Sequence, residues 1–406
     1  MINLPRYSSF QYYLAGLGTS AIAMGLQVVI FPWLVVGVLN ESADRVGLAQ
    51  MAAMLPNLLL ILLGGAVSDN RHLGTYLSRL YLLYCLPFGV MLVAALNGYL
   101  NYQLLILFGL GYGVITAFVQ PARESLLTQV CGENLQGAVA RSTIVQFTAQ
   151  SIGFLLMGLF DRVGLALLLI FQMLMFVVSG RLLRASQPPG QGLEKGRQRG
   201  GDGIWSGLKE VWRHPRLLPL MLMVGATGFI GFGAYLVAMP LMARETYQAG
   251  PAFYAGLQLS FAIGVLLSNT LYIRLAGGFR WPGRVLLISL FCRGLIMVVI
   301  GLHVPVIALF PLVVVWGMFS GISISLGRVM THSEAPESHR SRVVSIYQLA
   351  LLGTAPLGAW VSGELIHLWG VLDVFVILGV SVVLAAVIGV FSPLWKSRPE
   401  KPAARP

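Results

Sequence analysis

Charge is scarce in this sequence. Only 10% of its 406 residues are Asp, Glu, Lys or Arg, and the acids are the scarcer class, 15 against 27 basic side chains. A soluble chain would carry about a quarter charged residues, so water is not the solvent for which this one is built. Cys85, Cys131 and Cys292 stand isolated, which excludes a disulfide framework and a metal-binding cysteine spacing. No HExxH, GxSxG or Walker loop occurs, and no carboxylate or histidine pair lies near the centre of an apolar run; His303 and His367 fall at run ends. These absences leave no cofactor or metal site and argue against an enzyme, a membrane-embedded acyltransferase or hydrolase being the minor alternative.

Apolar length is what the chain has instead. Hydrophobic residues make up 57%, and the mean hydropathy is +0.79. Since about 20 apolar residues cross a bilayer as a helix, the spacing predicts twelve spans at 10–39, 46–68, 76–97, 101–120, 140–160, 163–183, 217–243, 252–275, 284–302, 305–327, 343–366 and 371–394. Alternating strands of a barrel would be shorter and less evenly apolar. Only Arg6 precedes the first span, and no small-residue cleavage site follows a short apolar core, so that span reads as a retained helix.

Between the sixth and seventh spans, residues 185–203 hold six glycines and two prolines and no apolar run. Such a stretch cannot bury a core and reads as a flexible linker. The expected organisation is therefore a six-helix bundle over 1–184, the linker 185–203, an interfacial helix with a second six-helix bundle over 204–394, and a tail over 395–406. In the interfacial helix, Ile204, Trp205, Leu208, Val211 and Trp212 share a face opposite Lys209, Glu210 and Arg213.

The net charge of +12 is distributed as a membrane topology signal, not as a nucleic-acid surface. With the N-terminus inside, 23 of the 27 basic residues fall on the cytoplasmic side, while Arg45, Arg162 and Arg244 fall outside and Arg293 within a span. That bias places both termini in the cytoplasm of an inner (plasma) membrane protein. The bilayer is the evident partner; nucleic acid is not one, and no obligate protein partner is evident.

Polar residues inside the spans are the functional candidates, because a polar group in lipid must find protein or water. Gln27, in a first span with glycines at 16, 18 and 25, serves either a cavity or an interhelical hydrogen bond. Asn57 has the same two readings, with a third role in satisfying a carbonyl freed by Pro56. Gln146 and Gln150 lie one turn apart on one face, toward protein or a wet cavity. Arg293 lies about 13 Å beyond Arg284 along its helix; it attracts an anionic substrate, makes a structural contact or snorkels. The glycines of GLGYG, 109–113, sit inside an apolar helix and are packing residues. At Pro121 the fourth span should stop and a short cytoplasmic helix begin, with Leu126, Leu127 and Val130 on one buried face and Arg123 and Glu124 in water.

A shift of 202 residues places Thr143–Phe147 on Ser345–Leu349, with Gln146 on Gln348, as two related halves require. It also sets Phe154 on Pro356, so a bend missing from the fifth span is expected in the eleventh, where Gly353, Pro356 and Gly358 make a deformable midsection. Asp161 and Glu364, at the outer ends of those spans, are one residue apart under the same shift. They are either a titrating pair or solvated helix ends.

GGAVSDNRHLG, 64–74, resembles the signature between the second and third helices of the major facilitator superfamily: Gly65, Asp69 and Arg71 fit, while Asn70 stands where an Arg is usual and Gly74 comes late. The run 121–146 is similar to the siderophore-export and macrolide-efflux branch at Pro121, Ala122, Arg123, Leu126, Leu127, Asn134, Leu135, Ala138, Ala140 and Ser142 or Thr143. GLKEVWRHPRLLPL resembles that branch's approach to helix seven. Arg342, Val343, Ser345, Tyr347, Leu349, Ala350, Gly353, Pro356, Leu357, Gly358, Ala359 and Gly363 resemble its helix eleven. The resemblance implies an all-α integral membrane fold of twelve transmembrane helices in two pseudo-symmetric bundles. It further implies a secondary transporter that exports an amphipathic small molecule, a drug-like compound or siderophore, by alternating access, with protons as the usual coupling ion. A permease or facilitator importing a small metabolite is the alternative, and a non-transporting scaffold the third reading. In that family the signature Asp belongs to a cytoplasmic lock, which here implies a gate of Asp69, Arg71, Arg123 and Arg342; Gln27, Asn57, Gln146, Gln150, Gln348 and Arg293 would line the substrate cavity.

Overall fold

The computed structural model describes residues 9–68, 71–131, 135–187, 204–274, 281–336 and 339–396. Every regular element among them is helical, as expected where backbone groups cannot turn to water and must bond within their own segment. In chain order these are α1 Ser9–Val38, α2 Ala43–Ser68, α3 Leu73–Leu96, α4 Tyr102–Val130, α5 Leu135–Met157 and α6 Phe160–Ala185; a short α7 Ile204–Arg213; then α8 Leu217–Thr246, α9 Pro251–Arg274, α10 Pro282–Gly301, α11 Val306–Glu334, α12 Arg340–Gly353, α13 Ala355–Trp369 and α14 Val371–Val390. With α12 and α13 counted as one stretch, ten of the twelve expected spans are long and apolar enough to cross a membrane. The other two, α2 and α5, have 26 and 23 residues. Of the expected linker, residues 188–203 lie outside the described residues, as do 397–406 of the tail.

The chain forms two compact units, Met1–Glu41 with Ala52–Gln198 and Gly250–Gly256, and Ser42–Met51 with Arg199–Ala249 and Leu257–Pro406. In the first, α1 is held against α5 by backbone contact. A Cβ on Gly25 would strike the Gln150 carbonyl, and one on Gly153 the Ile22 carbonyl; small residues replace the missing hydrophobic drive between helices in lipid. Ser179 of α6 donates to the Gly16 carbonyl at 2.7 Å. Around α3, α4 and α6 an aromatic cluster of Tyr81, Tyr84, Phe88, Phe108, Tyr112 and Phe176 fills the core, its closest pair, Tyr84 and Phe176, stacked at 4.6 Å.

The fourth span does not stop at Gln120. α4 runs unbroken from Tyr102 to Val130 with Pro121 inside it. Proline lacks the N–H that would bond the carbonyl four residues back, that of Ala117. Gly64 of α2 packs against this same carbonyl. The face of Leu126, Leu127 and Val130 is buried, as expected. Gly65, in contrast, has open space where its side chain would be; its neighbour Gly64 alone makes the tight contact.

In the second unit α10 and α14 meet at Gly294 and Gly379, each of which would place a Cβ 2.7 Å from the other's carbonyl oxygen. Gly228 of α8 lies on the Leu351 carbonyl, and Gly358 of α13 on the Phe229 carbonyl. The eleventh span is broken where the shifted alignment locates its bend: α12 ends at Gly353, Pro356 opens α13, and the intervening Thr354 donates to the Ala350 carbonyl at 2.9 Å and lies 3.0 Å from that of Gly225. Gly358 is packed rather than free. α11 outruns its expected end by seven residues to Glu334, whose carboxylate holds Arg216 at 3.2 Å. On α7, Val211 is buried and Lys209 and Arg213 face outward, but Trp212 is exposed as well. The side chains of Ile204 and Trp205 lie outside the described residues.

The halves repeat one another in backbone detail. α1 and α8 both end in a π-helical turn, Leu34–Val38 and Met242–Thr246. Each is followed by a residue in the left-handed region, Asn40 at φ 53 and Gln248 at φ 49, and by matching backbone bonds, Glu41 N–H to Val35 and Ala249 N–H to Ala243. Gly98 and His303 share a second such turn, and Gly164 and Gly370, at φ 77 and 86, a third. Sequences this different adopt the same three unusual turns because each half solves the same connection problem.

Candidate functional site

In the first unit the polar residues of α1 and α6 meet. Gln27 is buried, and its carbonyl oxygen accepts a hydrogen bond from Gln172 Nε2 at 3.2 Å; the same nitrogen lies 3.1 Å from the Ala23 carbonyl. Of its two readings, Gln27 takes the interhelical bond. Sequence reasoning misses Gln172 because a lone amide in LLLIFQMLMF shows no period; its partner is 145 residues away. Its Oε1 is buried without a donor.

Asn57 Oδ1 is buried without a donor among the described residues. Gln146 and Gln150 are half-buried on α5, with the Gln150 carbonyl pressed on Gly25. Gln348 is exposed on α12.

Of the four gate residues, Asp69 lies outside the described residues. Arg71 is exposed, 6.0 Å from the Tyr76 ring. Arg123 is not the solvated residue expected: it is half-buried, its guanidinium 4.0 Å from Met24 Sδ, and its carbonyl accepts from Tyr13 at 3.3 Å. Because α4 continues through Pro121, Arg123 stays on the helix and points at α1. Arg342 belongs to the second unit, where Gly207 of α7 seats on its Cβ.

Asp161 and Glu364 are both exposed. Asp161 stands three residues before the non-helical Gly164, in the short turn that joins α5 to the main run of α6. Glu364 accepts from Trp360 Nε1 at 3.1 Å.

The second unit contains a narrow crevice between α8, α10, α11 and α12, about 10 Å³ in volume and so closed to anything much larger than a water, lined by Thr227, Leu290, Ser323, Tyr347 and Leu351 among others. Tyr347 Oη donates to the Ile324 carbonyl at 2.9 Å, and Thr227 and Ser323 bond to the preceding turns of their own helices. Its polar groups are thus internally satisfied and its surface mostly apolar. One turn beyond Leu290 lies Arg293, only 2% exposed, its Nε buried without an acceptor. It does not snorkel.

Known proteins place these features in a family. The family model of the Major Facilitator Superfamily matches residues 13–349. The multidrug efflux pump Tap of Mycolicibacterium fortuitum is 25% identical over 403 residues, covering 92% of this chain and 93% of that one. Among solved structures, an inward-facing, unoccupied bacterial homolog of the human lysosomal transporter Spinster superposes with a TM-score of 0.73 at 15% identity over 97% of this chain and 99% of its own. The nucleoside transporter NupG gives 0.73 at 14% identity, over 97% and 100%; at such identities the likeness shows the fold. With two pseudo-repeated helical halves and a family model spanning most of its length, this multi-pass membrane protein belongs to the Major Facilitator Superfamily of transporters.

Proposed function

We propose that this transporter exports an amphipathic small molecule by alternating access, the bundles 1–184 and 204–394 rocking about the linker 185–203. The observation that carries the direction is the likeness to a multidrug efflux pump along nearly the whole of both chains. A mostly apolar lining with the hydroxyls of Thr227, Ser323 and Tyr347 supports an amphipathic cargo over a sugar-like one. The protein sits in the inner membrane with both termini cytoplasmic, following the bias of its basic residues. Asp69, Arg71 and Arg342 hold the cytoplasmic side closed in one state, with Arg123 anchoring α4 to α1 beneath them. Protons are the coupling ion, and Glu364, hydrogen-bonded on the helix that follows the break in the eleventh span, is the acid to test first.

Energised inside-out vesicles containing the protein separate these claims. Adding siderophores, macrolides, cationic dyes and lysolipids while following internal pH should show proton release with one class and not the others. Asp69→Asn should depress that flux more than binding. Flux without proton release would retain export and remove proton coupling; accumulation only in right-side-out cells would replace export with import. Glu364→Gln with an unaltered pH dependence of transport would remove Glu364 from coupling.

A further inference from the structure

We infer that Arg293 is an anion-binding site within the second bundle, and that it recognises the acidic head of an amphipathic molecule with an apolar tail. The inference deepens the export reading and rests on it for the transported case. Arg293 stands just past the middle of a 20-residue helix, at mid-depth, where a cation costs about 3 kcal/mol or more unless something answers it. Membrane arginines normally pair with an acid or reach water. This one is 2% exposed and has no hydrogen bond or ion pair among the described residues.

The described acids of the unit account for themselves elsewhere. Glu334 holds Arg216, and Asp44 faces His367 at 3.5 Å. Glu364 is bonded to Trp360 on the exposed face of α13, opposite the face that Gly358 and Ser362 present to α8. Asp373 is six residues from Gly379, which packs against Gly294, and so lies about 9 Å away along the helix. Glu245 is 14 residues beyond Gly231, about 21 Å, and Glu210 precedes α8 altogether.

Space is reserved for the guanidinium. Gly231 of α8 faces it, with Nη1 3.8 Å from where a Cβ would stand, and Gly231 follows Thr227 of the crevice by one turn as Arg293 follows Leu290. The cation therefore lies one turn beyond the apolar lining of the crevice. An acidic head at Arg293 would set its tail against Leu290, Leu286 and Leu351, which must part to admit it. A carboxylate or phosphate head could belong to a transported compound or to a membrane lipid, and the test distinguishes these.

The probes are laurate, its neutral amide and dodecylamine, with the full-length protein in nanodiscs of phosphatidylcholine. The wild type should bind laurate about tenfold more tightly than the amide. Arg293→Met should abolish that preference and leave amide binding unchanged, while Arg293→Lys should keep most of it. Equal ratios in wild type and Arg293→Met would overturn the site, as would equal binding of laurate and amide by a wild type that still binds dodecylamine. Should Arg293→Met not fold, Arg293→Gln and Arg293→Lys decide the matter instead: loss of the preference in the first with retention in the second supports the site, and retention in both overturns it. Loss of the preference together with co-purified phosphatidylglycerol assigns the anion to a lipid; loss with lipid content unchanged and laurate flux reduced in proteoliposomes assigns it to cargo. An intact anion preference with no flux of any amphiphile would sink the export reading and spare the site. Dye export with unchanged charge preference in Arg293→Met would do the reverse.

Discussion

The two units bury polarity in opposite ways. In the first, Gln172 donates to Gln27 and the Ala23 carbonyl, so one amide nitrogen joins two helices. In the second, Arg293 carries a full charge and is answered by nothing among the described residues. A bonded amide pair returns part of its desolvation cost as helix association, so it reads as architecture. An unanswered guanidinium returns nothing until a ligand arrives, so it reads as function. The groups are similarly buried, and what separates them is whether a partner is present.

The largest way to break the comparison is to remove the position of α1 itself. Gly25→Val would drive a branched side chain into the Gln150 carbonyl, and overpacking of this kind costs about 1–3 kcal/mol, occasionally more. Fluorescence-detected size exclusion should show loss of the monodisperse peak, and hydrogen exchange should rise across α5 and α6 together. A well-folded Gly25→Val protein would mean that α1 is not fixed by that contact, and that the amide pair is a consequence of something else.

Next in size are single changes expected to have opposite signs. Gln172→Leu strands Gln27 and should lower stability by about 1–2 kcal/mol, read as a fall in melting temperature in detergent. Arg293→Met removes a cation that costs more than it returns, so the melting temperature should rise or hold in the absence of anionic ligand. A fall with Arg293→Met as large as that with Gln172→Leu would mean that the arginine, too, is architecture.

The all-helical nature of the chain and ten of its spans are legible in the sequence because apolar length is a local signal. The eleventh-span break at Gly353–Pro356 is legible from an internal shift, since glycine and proline declare backbone geometry. The passage of α4 through Pro121 is not. The carbonyl that Pro121 leaves without its helical donor is packed by Gly64, a contact between residues 53 apart that no window registers. The sequence sends Arg123 to water for the same reason, since a helix that ended at Gln120 would release it. Gln172 is invisible because an amide's meaning lies in its partner. Arg293 is a cation near the middle of a span rather than at its end, so the sequence raises the question; what surrounds it requires coordinates.

The smallest expected effect is also the sharpest. If Gln27 and Gln172 matter only to each other, replacing both with leucine removes a donor, its acceptor and the desolvation of each, and the net change should be small. Model pairs of this kind couple by about 0.6 kcal/mol on average, and at most about 1.7. The double variant should therefore melt closer to wild type than either single variant does, and the thermodynamic cycle isolates the coupling. Gln172 Oε1 complicates this in a useful direction: it is already buried without a donor, so the wild type carries a cost that the double variant sheds. A double variant more stable than wild type yet equal in export would make the pair a relic of packing, leaving polarity in the first unit without a role in transport. Equal stability with lost export would reverse the contrast with Arg293, because a satisfied pair would then be as functional as an unsatisfied charge.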